Sequence, residues 1–233
     1  MVLLLDLGNS RLKYALFDGS QLRDSGIIAD LSLPSITEII PTEGIRLLAI
    51  CTVIDIPSDI LTSLQANYSV HIIAKEDTNL RFSTYDPSTL GLDRLILAEA
   101  CLSVFPSQPS LCICLGTCIT YNLISTAGEF IGGAISPGLH LRSKAMSEFT
   151  DKLPLIDLKP DFTPFGTNTN SNLNAGVISG TLFEINGFIA SAKKEFPNLQ
   201  VILTGGDADY YKDQFEIDPL LAWKGFLRMI PKG

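Results

Sequence analysis

Apolar residues gather at the start of this chain into runs broken by single polar or glycine positions. Leu3-Leu4-Leu5 ends at Asp6 and breaks at Gly8; apolar residues resume at Leu12, Ala15, Leu16 and Phe17. That pattern predicts a hairpin of two buried strands joined by a tight turn. Asp18-Gly19-Ser20 is a turn, and Gln21 to Ile28 adds a third antiparallel strand. Ser32 to Ile40, with Pro34 near its start, predicts a short helix. Arg46 to Val53 has the continuous apolar character of a strand covered on both faces. A helix over Pro57 to Tyr68 and a short strand over Val70 to Ala74 follow.

The second half repeats this logic. Tyr85 to Arg94 is polar and glycine-punctuated, hence a loop, and Leu95 to Leu102 continues it as a helix. Phe105 to Ser110, with two prolines and no periodicity, is the best candidate for a domain boundary. Leu111 to Leu115, Cys118 to Ile124 and Glu129 to Ile135 predict a meander, and Gly132-Gly133 and Ser136-Pro137-Gly138 lead into a helix near His140 to Phe149. Asp151 to Phe165 carries three prolines and is expected to be an ordered loop. A long helix from about Asn172 to Glu195 holds Ala175, Gly176, Ser179 and Gly180 at spacings that allow close packing to another element. Gln200 to Thr204 is a strand, and a helix near Leu220 to Met229 ends the chain. Strands that first meander and then alternate with helices have the order of an RNase H-like unit. The fold class expected is α/β, with two such domains over residues 1–106 and 107–233, each a mixed five-stranded sheet flanked by helices.

Composition narrows the function. At 233 residues, 46% hydrophobic and 18% charged, the chain has ample core and is not disordered. A net charge of −8 argues against a general affinity for nucleic acid or anionic membranes, which rests on cationic surface. There is no basic leader before the first apolar run, and no run approaches the roughly 18–20 apolar residues of a membrane helix. Five cysteines (51, 101, 112, 114 and 118) fit a reduced cytoplasm. Cys112, Cys114 and Cys118 lack a nearby histidine to complete a tetrahedral metal site, and are expected to be buried, inert thiols. His71 and His140, the only histidines, are not expected to be catalytic.

Three glycine turns carry the candidate chemistry. In Asp6-Leu7-Gly8-Asn9-Ser10, Leu115-Gly116-Thr117 and Thr204-Gly205-Gly206, a buried strand ends in a glycine that admits a bulky ligand. Turn N–H groups cradle phosphate oxygens, and Asp6 is placed to hold a magnesium ion. Three such turns from distant parts of one chain can converge on a single triphosphate, although each alone also fits an ordinary hairpin. Asp93 and Arg94 follow Gly91 at the mouth of a helix, where the macrodipole favours an ionised carboxylate. Such a carboxylate suits phosphoryl transfer, in which the base takes a hydroxyl proton late. An arginine beside it offers a carboxylate a bidentate fork. The plain alternative is a first-turn helix acid with a solvated arginine neighbour.

The turns resemble those of the actin, heat-shock chaperone and sugar kinase superfamily. The full set is Asp6-x-Gly-Asn-Ser, Tyr85 to Arg94, Gly116-Thr-x-x-Thr120, Gly132-Gly-x-x-x-Pro-Gly138, Gly166-x-Asn-Thr169 and Thr204-Gly-Gly206. It resembles the type III pantothenate kinases in order and over nearly the whole chain. The resemblance implies ATP- and Mg2+-dependent phosphorylation of the 4′-hydroxyl of pantothenate, the first committed step towards coenzyme A, in a cytoplasmic homodimer with the substrate pocket at its interface. It implies Asp93 as general base, with Tyr85, Gly91 and Arg94 binding pantothenate and Thr169 reaching it from the partner subunit. Asp6, Gly8, Asn9, Ser10 and Lys13 would form the first phosphate loop and magnesium support. Gly116, Thr117 and Thr120 would form the second, and Gly205 and Gly206 would lie near the adenosine.

Two positions depart from the family pattern. Cys114 and Asn122 stand where the family usually has aspartate, near the phosphates and the bound K+ or NH4+. A neutral thiol is a poor ligand for a hard cation, whereas Asn122 still offers a carbonyl oxygen. A weaker monovalent cation requirement, or lower turnover, is therefore expected. Two rival functions follow: a non-catalytic nucleotide- or pantothenate-binding accessory protein of transcription, and a kinase for another hydroxy acid.

Overall fold

The structure, a computed structural model, describes residues 1–8, 12–41, 44–52 and 54–231. The chain separates into two compact units, Met1–Asn79 with Trp223–Gly233, and Leu80–Ala222.

In the first unit β1 (Val2–Leu7), β2 (Leu12–Asp18) and β3 (Gln21–Ile28) form the expected meander, and β4 (Leu47–Thr52) and β5 (Val70–Ile72) extend it in parallel. The strand order is β3-β2-β1-β4-β5. Alternation explains the packing. Leu3, Leu5 and Leu7 point to one face and join Ile36 of α1 (Leu33–Glu38) and Ile60 and Leu64 of α2 (Ser58–Asn67) in a core. Ser32 caps α1 by accepting from the Ser35 amide, with Pro34 in the first turn.

The second unit opens with α3 (Leu92–Val104), followed by the meander β6 (Ser110–Leu115), β7 (Cys118–Ile124) and β8 (Phe130–Pro137). Helices α4 (Leu139–Glu148) and α5 (Thr169–Glu195) precede β9 (Gln200–Thr204), which pairs parallel to β6. The order is β8-β7-β6-β9. One face, with Leu111, Ile113, Leu115, Ile119, Tyr121 and Leu203, meets Val177, Ile178, Ile185 and Ile189 of α5. The opposite face carries Cys112, Asn122 and Gly133 in one register row and Cys114, Thr120 and Thr204 in the next; α3 packs on β6 and β7. The last helix, α6 (Leu221–Met229), returns the chain end to the first unit.

Two expectations are corrected. Among the described residues the second sheet has four strands, not five: where a fifth would add, a single bridge joins Leu203 to Ile217. The compact units divide at 79/80. The proline-containing stretch is a tight turn between α3 and β6, with Ser107 at φ 57°, and α3 belongs to the sheet after it. Gly132 and Gly133 lie inside β8, within the strand expected over Glu129 to Ile135. Cys118 is exposed, whereas Cys112 is buried against Cys101, which pushes its thiol pKa up. Among the described residues α5 reaches the length and composition of a membrane span, yet four of its apolar side chains lie in the core.

Candidate active site

The site is built on the first turn of α3. Gly91 caps the helix in an extended conformation (φ −62°, ψ 142°). A Cβ there would lie 2.5 Å from Asp93 Oδ1, so glycine lets this carboxylate fold back over the helix start. Asp93 is exposed, whereas Arg94 beside it is only 8% exposed. Residues one apart on a helix point about 100° apart, which sends one side chain outward and the next beneath.

Two strands, β7 and β8, hold the Arg94 guanidinium. Nε donates to Asn122 Oδ1 at 2.8 Å and Nη2 to the Tyr121 carbonyl at 3.3 Å. The guanidinium carbon lies 5.7 Å from the centre of the Phe130 ring, within cation–π range. Gly133, opposite Asn122 in the β7–β8 register, makes the space: a Cβ there would sit 2.6 Å from Nη2 and 1.8 Å from the Tyr121 oxygen. Tyr85 meets the same Phe130 ring edge-on, with centroids 4.8 Å apart. Its loop is tied down where Arg81 bridges to Glu129, and Ser83 donates to the Glu129 carboxylate. Tyr85, Gly91, Asp93 and Arg94 therefore come together, around a phenylalanine that sequence reasoning missed. A single aromatic at the start of a strand carries no local signal of function.

The glycine turns of the second unit also converge. The Gly116–Thr117 turn joins β6 to β7, and Gly138 donates its N–H to the Thr117 carbonyl at 2.9 Å. A Cβ on Gly138 would lie 2.0 Å from the Gly116 oxygen, and one on Gly205 (φ 98°) 2.2 Å from the Leu115 oxygen. Gly116, Thr117 and Gly205 thus lie around one strand end, with Thr120 and Thr204 on either side of Cys114 in the register behind them. Gly206 follows directly, and Asp207 after it is half-buried. Burial pushes the Asp207 carboxyl up from its usual range, and His140, 3.6 Å away, partly opposes this.

Behind the sheet lies a second network that sequence reasoning also missed. Glu184 of α5 accepts hydrogen bonds from Tyr121 Oη at 2.8 Å and Ser136 Oγ at 2.5 Å, and pairs with Arg142. Arg142 Nε donates to the Pro137 carbonyl at 2.7 Å, which fixes the strand end before Gly138. Burial pushes the Glu184 carboxyl up, but the hydrogen bonds from Ser136, Arg142 and Tyr121 outweigh it and hold the pKa below the usual value.

Thr169 is exposed in the first turn of α5, where Asn168 and Ser171 form a reciprocal cap. In the first unit, Asp6 and Lys13 are opposite each other in the β1–β2 register. Asn9 and Ser10 lie outside the described residues, and Gly8 ends the described part of that turn. Asp6 suits magnesium, which commonly takes one or two carboxylates and completes its shell with water and phosphate oxygens. The side-chain oxygen of Asn122 accepts from the Arg94 guanidinium, whose charge opposes a second cation at that atom.

The family model described as type III pantothenate kinase matches residues 2–191. A type III pantothenate kinase of Flavobacterium johnsoniae is 37% identical over 213 residues, covering 90% of this chain and 87% of its own. One from Bacteroides fragilis is 34% identical over 236 residues, covering 99% and 97%. Among solved structures, a protein from Campylobacter jejuni described as a candidate Baf family transcriptional activator matches with a TM-score of 0.62 at 22% identity, covering 98% of this chain and 96% of its own. A candidate 2-dehydro-3-deoxygalactonokinase from Sinorhizobium meliloti matches with a TM-score of 0.56 at 11% identity, covering 98% of each chain. These two likenesses, at low identity, speak to the fold alone. With most of its length matched by the family model and by relatives above 30% identity, this chain belongs to the type III pantothenate kinase family.

Proposed function

We propose that this protein transfers the γ-phosphoryl group of ATP to the 4′-hydroxyl of pantothenate. The observation that carries the reading is the pairing at the start of α3 of an exposed carboxylate with a buried guanidinium. Asp93 accepts the hydroxyl proton as the oxygen bonds to the γ-phosphorus and the bond to ADP breaks. Arg94 holds the pantothenate carboxylate, and Tyr85 and Gly91 shape the same site. The N–H groups around Gly116 and Thr117, with Thr120, take the phosphates, and Gly205 and Gly206 lie near the adenosine. In the first unit, Asp6 supports Mg2+, and Gly8, Asn9, Ser10 and Lys13 are assigned to a phosphate loop. Magnesium supplies charge neutralisation to the β- and γ-phosphates when bound.

The functional form is a cytoplasmic homodimer in which Thr169 reaches the partner's acceptor. Support comes from α5. Gly176, Gly180, Phe183 and Gly187 recur at helical spacing along one side, Phe183 is 61% exposed, and a Cβ on any of these glycines would meet nothing within 4 Å. Of the four small residues expected to allow close packing, Ala175 and Ser179 are buried in this chain, whereas a Cβ on Gly176 or Gly180 meets nothing within 4 Å among the described residues. With Asn122 engaged by Arg94 and a thiol at 114, dependence on K+ or NH4+ is weak; a strong, saturable rise of activity with potassium would refute this.

A coupled ADP-release assay tests the activity. ADP is expected only when ATP, Mg2+ and pantothenate are all present. Saturable binding of pantothenate or nucleotide with no pantothenate-dependent ADP would favour the accessory-protein reading.

A further inference from the structure

Arg142 takes no part in the chemistry proposed above, yet its side chain joins two helices to the end of a strand. Nη2 pairs with the Glu184 carboxylate of α5 and donates to Ser136 Oγ at 3.3 Å. Nε donates to the Pro137 carbonyl at 2.7 Å. Ser136 and Tyr121 also donate to Glu184, at 2.5 and 2.8 Å, so the carboxylate is held from three sides. Within this cluster Arg142 is the member whose side chain grips main chain.

What it grips is fitted without slack. The next residue, Gly138, donates its N–H to the Thr117 carbonyl at 2.9 Å. A Cβ on Gly138 would lie 2.0 Å from the Gly116 oxygen and 2.7 Å from the Thr117 oxygen. Pro137 lies opposite Cys118 in the β7–β8 register and has no N–H to give the ladder, so its carbonyl is the handle left on this strand end. A small shift of Pro137 and Gly138 therefore reaches the peptide groups of Gly116 and Thr117 directly.

We propose that Arg142 is a positioning residue for phosphoryl transfer: its Nε grip on the Pro137 carbonyl sets the Gly116–Thr117 turn against the phosphates of ATP. This rests on the phosphate role proposed above for that turn. Glu184 is the fixed post, and the guanidinium fork meets carboxylate and carbonyl from different nitrogens. A lysine has one nitrogen and cannot occupy both places.

The test sets R142K against E184Q, with thermal melts, steady-state kinetics and calorimetric titrations of ADP and pantothenate. R142K keeps a cation beside Glu184 but loses the Nε donor. Its melting temperature is expected to stay within roughly 2 °C of wild type. Its KM for ATP is expected to rise about tenfold and ADP binding to weaken in step, with pantothenate affinity unchanged. E184Q behaves conversely: its amide oxygen still accepts from the guanidinium, so the protein melts lower while the KM for ATP stays within about twofold of wild type. A merely structural role would make nucleotide affinity follow the melting temperature in both variants, and that result overturns the proposal. So does an R142K protein that keeps the wild-type KM for ATP, loses ADP and pantothenate equally, or fails to fold. A wild-type protein that makes no ADP from ATP and pantothenate fails the kinase reading instead, and the ADP titrations still decide the role of Arg142.

Discussion

Gly133 is the residue on which the proposed acceptor site depends for room. A methyl group there would overlap the Tyr121 carbonyl and the Arg94 Nη2. Gly133→Ala is therefore expected to push Arg94 from its seat, raising the KM for pantothenate by about tenfold or more and costing roughly 1–3 kcal/mol of stability by overpacking. Kinetics with a thermal melt will show both. Asp93→Asn removes the proposed base and nothing that packs; kcat is expected to fall about 10²- to 10⁴-fold while calorimetry still finds pantothenate bound. Asp93 and Arg94 were legible because an acid and a base follow a glycine at a helix start. Phe130 was not: an apolar residue opening a strand looks the same whether a guanidinium rests on it or not. Nor did the sequence reveal that Asn122 faces Arg94, a contact 28 positions apart created only when α3 packs on β7.

Secondary elements were largely legible, since periodicity and glycine punctuation act locally. The meanders, β9 and the long helix lie close to where the apolar pattern placed them. The harder cases arise where pairing decides: the Phe105–Ser110 stretch looks like a linker until α3 folds onto β6. Invisible in any pattern, the Glu184 cluster ties β7, β8, α4 and α5 together. Its depressed carboxyl pKa contributes stability that is present above the unfolded glutamate value near 4.5 and lost as pH falls through the lower folded value. Glu184→Gln leaves Arg142 without its anion and is expected to lower the melting temperature by roughly 3–8 °C at pH 7. The gap narrows as pH falls below the unfolded value, where the wild type loses the same charge; melts at pH 7 and at about pH 3.5 will check it.

For the whole molecule, the proposed dimer makes a specific demand. Phe183 and the glycines beside it form a strip on α5 that suits the same strip on a second copy. Phe183→Asp places a charge there while leaving the core untouched. It is expected to yield monomers in sedimentation, with a higher KM for pantothenate because the partner's Thr169 is lost. Full activity in a monomer would refute the shared site. The two-unit kinase architecture was legible in broad outline from the repeated strand–glycine–strand pattern, but the place where the chain divides was not, because that depends on which sheet α3 chooses.

Tyr121 joins these scales. Its carbonyl faces Arg94 on one side of the sheet, and its phenol grips the helix proposed to meet the second copy on the other. Any tilt of that helix turns one amino acid and moves the oxygen that steadies the acceptor's anchor. Each catalytic centre would then sense how firmly its neighbour is seated, and diluting the enzyme below the dissociation constant of the proposed dimer should weaken its grip on the vitamin before any bond-making residue is altered.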